Sequence, residues 1–127
     1  MRFDIWYIAL ALLMLVIGEG FGQWMAGNDH SLALVHAHLN LIAWVSFALF
    51  GLIHRAYPAL AGSPFALVQF LLTIFSSIFF VAGLWVVMIA GDGLGALLGS
   101  YALMASSLLF VVMFFTKVVF VSERGEP

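Results

Sequence analysis

"LVHAHLNLIAWVSFALFGLIHRAYP", residues 34–58, decides the fold of this chain. The stretch is apolar over enough residues to cross roughly 30 Å of bilayer hydrocarbon at about 1.5 Å per helical residue. Yet it opens with His36, His38 and Asn40, side chains that cost free energy in hydrocarbon unless they pair or bind something. Three more apolar runs, 5–25, 65–90 and 94–116, fill almost all of the remaining chain. Of the 127 residues, 65% are hydrophobic and 8% charged, too little polar surface for a dispersed soluble domain. The short alternating segments of a membrane barrel do not occur. The pattern predicts an all-α integral membrane protein: one four-helix up-and-down bundle over 1–127, with helices at about 4–26, 31–56, 64–90 and 94–121.

Composition excludes several classes. The first segment is too long for a cleaved signal peptide, carries Glu19 and lacks a small-residue cleavage pattern, so it reads as a span. No cysteine is present, which rules out disulfides and thiolate metal sites. No basic stripe exists for nucleic acid. The four cations, Arg2, Arg55, Lys117 and Arg124, all flank the same side of the predicted bundle. The connections "AGNDHS" (26–31) and "AGDGLG" (90–95) carry Asp29 and Asp92 instead. The positive-inside rule then places the N- and C-termini in the cytoplasm, as expected for a multi-pass protein of a bacterial inner membrane. Pro58 and Pro64 bracket the cytoplasmic turn "YPALAGSP", where proline ends or begins helices cheaply.

This topology converts sequence distance into depth. Glu19 lies about six residues, roughly 9 Å, below the outer end of the first helix. His36 and His38 enter the second helix at comparable depth, with Trp85, Ser100 and Tyr101 in the same slab. A clustered polar layer in the outer leaflet is therefore expected, with mainly apolar residues plus Ser46, Thr73, Ser76 and Ser77 below it. On a helical wheel His36 and His38 are about 200° apart, so one helix cannot present both to one compact ion. His36 shares a face with Asn40 and, less closely, Trp44.

Each of these residues also has a packing role to weigh. A membrane histidine can serve only as an interhelical hydrogen-bonding residue. His30 and His54, at the two membrane faces, are expected to be interfacial. Glu19, in "GEGFGQW" (18–24), can be protonated and hydrogen-bonded, while Gly18, Gly20 and Gly22 allow close helix approach or make room for a flat cofactor. Met88 and Met104 read as packing. Trp6, Trp24, Trp85, Tyr7 and Tyr57 sit where an interfacial aromatic belt would place them.

The segment 36–58 resembles the second transmembrane helix of the haem–copper oxidase and nitric-oxide reductase catalytic subunits. The likeness rests on His38-Leu39-Asn40, the apolar helix after it, Gly51 and the "R-x-Y-P" exit at 55–58. The chain is similar in helix order and hydropathy to small four-helix proteins described as cytochrome-oxidase subunit I-like. The resemblance implies a non-covalent b-type haem with His38 as one axial ligand; no C-x-x-C-H attachment site occurs. The large subunits supply the second axial histidine and the active-site metal ligands from later helices, whereas no histidine follows His54 here. Catalytic reduction of oxygen or nitric oxide by this chain alone is accordingly not expected.

A second ligand would come from His36, from Met104 or Met88, or from His38 of a second copy in a homo-oligomer; a five-coordinate haem would bind a gas. Asn40, Trp44 and Tyr101 are candidate macrocycle contacts, and Glu19 a candidate to orient a histidine. Three readings follow. The first is a b-type cytochrome that transfers electrons, with quinol or a periplasmic redox protein as partner, or senses a diatomic gas. The second is a copper or other divalent-metal handling protein using Glu19, His36 and His38. The third is a non-catalytic assembly subunit whose polar layer sets helix packing.

Overall fold

The computed structural model describes residues 1–28 and 30–123. Asp29 and Arg124, which entered the orientation argument, lie outside them. Four helices are long and apolar enough to cross a membrane: α1 Phe3–Gly27, α2 His30–Ala56, α3 Ala66–Ala90 and α4 Leu94–Ser122. The expected all-α four-helix bundle is therefore present, and the chain is a multi-pass membrane protein by the length and apolarity of these helices.

Local chemistry sets the helix ends. After α2 the chain makes a 3-10 turn over Pro58–Gly62, and Phe65 N–H donates to Ser63 Oγ at 3.3 Å. This Ser63 turn delays α3 until Ala66, just past Pro64. α3 stops at Gly91, whose φ of 74° is left-handed and suits a residue without a Cβ. Asp92 Oδ1 then accepts from Leu94 N–H at 3.0 Å and opens α4.

The helices alternate in direction. Phe3 and Tyr7 at the start of α1 meet His54 near the end of α2 and Phe70 near the start of α3. Phe110 of α4 packs on Phe50 and His54, and Phe114 on Tyr57. This end of the bundle, which carries the start of α1 and the connection between α2 and α3, is called the termini end below; the other is the loop end.

Small residues bring the backbones together, as expected where lipid supplies no hydrophobic contrast to drive association. A Cβ on Gly83 of α3 would collide with the backbone of Gly95 and Ala96 of α4. One on Gly99 of α4 would lie 2.7 Å from Phe80 N. α1 and α2 also approach closely, though less so, since a Cβ on Gly51 would lie 2.7 Å from Ile8 Cγ1 and 3.1 Å from the nearest backbone atoms. Outward, Val16, Phe75, Ile78 and Ile89 are each more than 60% exposed, the apolar skin of a protein solvated by lipid.

α2 is not uniformly α-helical. An α segment, Ala33–His38, passes into a π-helical segment, Leu39–Ser46, before α geometry resumes at Phe47–Ala56. The wider turns are visible at Ser46, whose hydroxyl donates to the Leu41 carbonyl five residues back at 2.9 Å. π segments frequently coincide with functional positions, and this one begins at the residue after His38 and contains Asn40 and Trp44.

Trp6, Trp24, Trp85 and Tyr57 are exposed near helix ends, as the aromatic-belt reading expected. Tyr7 is not. Its side chain is 0% exposed and turned inward, because the α1 face bearing Phe3, Tyr7 and Ala11 is the face packed into the core.

Candidate functional site

The residues singled out in α2 divide between two sides of that helix. His36 faces α1: its ring lies 6.0 Å from Phe21, and a Cβ on Gly22 would come within 2.8 Å of its Cε1. His38 faces α3, with its ring 5.5 Å from Phe80. The two imidazoles thus have different helices as neighbours, in keeping with their angular separation in the α-helical segment that carries both.

On the α1 side, His36, Asn40, Trp44, Glu19, Gly22 and Gln23 help to line an open groove of about 550 Å3. Asn40 Nδ2 donates to the His36 carbonyl at 2.9 Å and lies 3.3 Å from His36 Nδ1. Gly18 and Gly22 make this possible, because a Cβ at either position would occupy the space of Asn40 or of the imidazole. Gly22→Leu should therefore push His36 out of the groove while leaving His38 in place. The histidine ring resonances in the NMR spectrum check this: those of His36 should move and those of His38 should not.

On the α3 side, His38 stands apart from that groove. Its Nδ1 lies 2.9 Å from the Leu34 carbonyl, which can only accept, so in the neutral ring Nδ1 carries the proton and Nε2 the lone pair. The His38 ring is half-buried, at the edge of the bundle rather than inside it.

Of the remaining candidates, Glu19 is exposed, because Gly18 and Gly22 occupy the α1 face that meets α2. Tyr101 is 58% exposed on α4, and among the described residues no hydrogen bond or ring contact joins it to α2. Met104 and Met88 are also exposed. Among the described residues no three His, Asp or Glu side chains gather as a metal-binding group, so Glu19, His36 and His38 do not form one. The expected buried layer is thus an open groove plus one separate histidine.

The buried polar residues lie instead nearer the termini end. Tyr7 of α1 donates to Gln69 Oε1 at 2.7 Å and to Thr73 Oγ1 at 3.1 Å, both on α3. Thr73 Oγ1 shares a 2.6 Å hydrogen bond with Ser106 of α4, and Gln69 Nε2 donates to Thr73 at 3.0 Å. Three helices are thereby joined through hydroxyls and one amide. Thr73 and Ser77 were visible as polar positions, but Gln69 and Ser106 were missed. The i, i+4 spacing of Gln69 and Thr73 on one helix face was the available signal.

His54, expected to be interfacial, is 3% exposed and enclosed by Phe3, Tyr7 and Phe110, with rings 5.6–5.8 Å away. The turn of α2 that carries it is the one packed onto α1, so the ring points inward although the residue is near the helix end. Beside it, Asp4 accepts from Arg2 Nε at 3.0 Å, from Arg2 Nη2 at 2.8 Å and from Arg55 Nη1 at 3.1 Å. Hydrogen bonding to Asp4, reinforced by its charge, raises the pKa of Arg2 above the ordinary guanidinium value.

No family model, curated protein or solved structure matches this chain.

Proposed function

We propose that the chain is a small b-type haem-binding protein of a bacterial inner membrane, with His38 Nε2 as an axial ligand. The observation that carries this reading is the 2.9 Å contact from His38 Nδ1 to the Leu34 carbonyl. A ligating imidazole commonly donates its other N–H to a carbonyl, which selects the tautomer and holds the ring direction. The likeness of 36–58 to the haem-ligating helix of the oxidase and reductase subunits supports the same residue.

α3 and α4 touch backbone to backbone at Gly83 and Gly99, and Phe80, the ring beside His38, is itself one side of the Gly99 contact. A macrocycle therefore does not fit between these helices. We place it instead against the half-buried edge of His38, where a second copy of the chain could cover it and offer its own His38. A haem held there supplies a one-electron couple or an open coordination position. His38 presents the lone pair, Leu34 holds its tautomer and Phe80 restricts the ring. Electron exchange would run with quinol or a periplasmic redox protein, given the expected orientation. His36, Asn40, Trp44 and Glu19 belong to the α1 groove and act on His38 only through the helix.

Dithionite-reduced and oxidised visible spectra of haem-replete detergent-purified protein test the proposal. The expected result is a sharp reduced α band, lost in His38→Ala and retained in His36→Ala, with one haem per two chains. A wild-type protein with no haem absorption refutes it and leaves the α2 polar residues as packing groups.

A further inference from the structure

The termini end holds a second site that the haem reading does not use. A cavity of about 270 Å3 opens there between α1, the end of α2 and the connection that follows, bordered by Arg2, Asp4, His54, Arg55, Pro58 and Ala61. His54, at its inner wall, is 3% exposed, and among the described residues neither Nδ1 nor Nε2 has a hydrogen-bond partner. A buried polar ring with both nitrogens unpartnered costs free energy and calls for a ligand or water.

The groups at the mouth specify which ligand. Asp4 engages two N–H donors of Arg2 and one of Arg55, so among the described residues each five-donor guanidinium keeps several donors free. Both guanidiniums are more than 60% exposed and therefore reachable. Two guanidiniums against one carboxylate leave a net charge of +1. Excess positive charge and forked donors together suit a phosphate oxyanion.

The geometry points to a phosphate-binding site made by Arg2, Arg55 and His54, occupied by the headgroup of an anionic phospholipid or by free phosphate. Asp4 is a positioning residue that holds the two guanidiniums beside the mouth. The depth favours the lipid: Arg2 immediately precedes α1 and Pro58 follows α2, the level at which phospholipid phosphates lie. The site concerns different residues from the haem proposal and stands or falls separately.

The test is native mass spectrometry of the full chain in detergent, titrated with phosphatidylglycerol and, separately, with phosphatidylcholine. Wild type should bind phosphatidylglycerol at least about tenfold more tightly, because phosphatidylcholine carries the same phosphate beside a choline cation that the net positive mouth disfavours. Arg55→Gln and His54→Phe should each remove most of that preference, and Lys117→Gln, outside the cavity, should keep it. His54→Phe removes no hydrogen bond to protein, so it guards against loss by misfolding. Displacement of the lipid by millimolar inorganic phosphate identifies free phosphate as an occupant; resistance identifies the lipid. Equal affinity for the two lipids, or a preference unchanged in Arg55→Gln, overturns the proposal.

Discussion

Gly83→Leu should strongly destabilise the bundle, whereas Gly20→Leu should leave its stability unchanged. The contrast is steric. A Cβ on Gly83 would overlap backbone atoms of Gly95 and Ala96, which cannot swing aside as a side chain can. Relief requires α3 and α4 to separate along a contact that Gly99 and Phe80 continue on the same side. Overpacking a well-packed core costs about 1–3 kcal/mol when side chains can yield, and more when they cannot. A loss above about 3 kcal/mol is thus expected, a large share of a typical domain's total stability. Around Gly20 nothing lies within 4 Å of the added Cβ, so its leucine would extend into lipid at little cost. Titration of both variants from mild detergent into sodium dodecyl sulfate, followed by tryptophan fluorescence, measures the difference. Equal midpoints for Gly83→Leu and wild type would show that α3 and α4 do not meet at these glycines.

Thr73→Val should cost about 2 kcal/mol, against no more than about 0.5 kcal/mol for Ser76→Ala. Valine keeps the shape of threonine and removes only the hydroxyl, so the loss reports hydrogen bonding. Thr73 bonds side chains on three helices: Tyr7 at 3.1 Å, Gln69 at 3.0 Å and Ser106 at 2.6 Å. Side-chain bonds of this kind in membranes average about 0.6 kcal/mol each, with a maximum near 1.7. Their sum therefore decides the prediction, since no single bond is large. Ser76 donates only to backbone carbonyls of its own helix, Leu72 and Thr73, and joins nothing across an interface. The same unfolding titration separates the two, and a Thr73→Val value as small as that of Ser76→Ala would remove the network from the account of stability. Adding Tyr7→Phe to Thr73→Val should cost less than the two single changes summed, because they share one bond.

The readable and the hidden parts of this protein differ in kind. The apolar runs, the turn residues Pro58, Pro64 and Gly91, and the opposed faces of His36 and His38 depend on nearest neighbours in the chain. Hydropathy sums along a helix, and angular position follows from residue spacing, so those features could be read directly. The start of α3 at Ala66 was harder, because it depends on a hydrogen bond to Ser63 as well as on Pro64.

The site was legible only in part. His36, Asn40 and Trp44, placed on one helix face by their spacing, line one groove with Glu19. Glu19 nevertheless faces outward, Tyr101 lies away from α2, and the buried polar network sits toward the opposite end of the bundle. It joins Tyr7 to Thr73 across 66 positions and Thr73 to Ser106 across 33.

The sequence by itself determined four spanning helices and the places where they end. Tertiary structure alone decided which face of each helix is inside: Tyr7 and His54 rather than Glu19, and Gly83 against Ala96. In water, burial separates apolar from polar faces, so amphipathic periodicity marks the inside of a helix. Lipid is as apolar as a protein core, and that contrast disappears. What remains to choose the buried face is the fit of glycine against backbone and the closing of hydrogen bonds between helices, and both exist only once the helices have met.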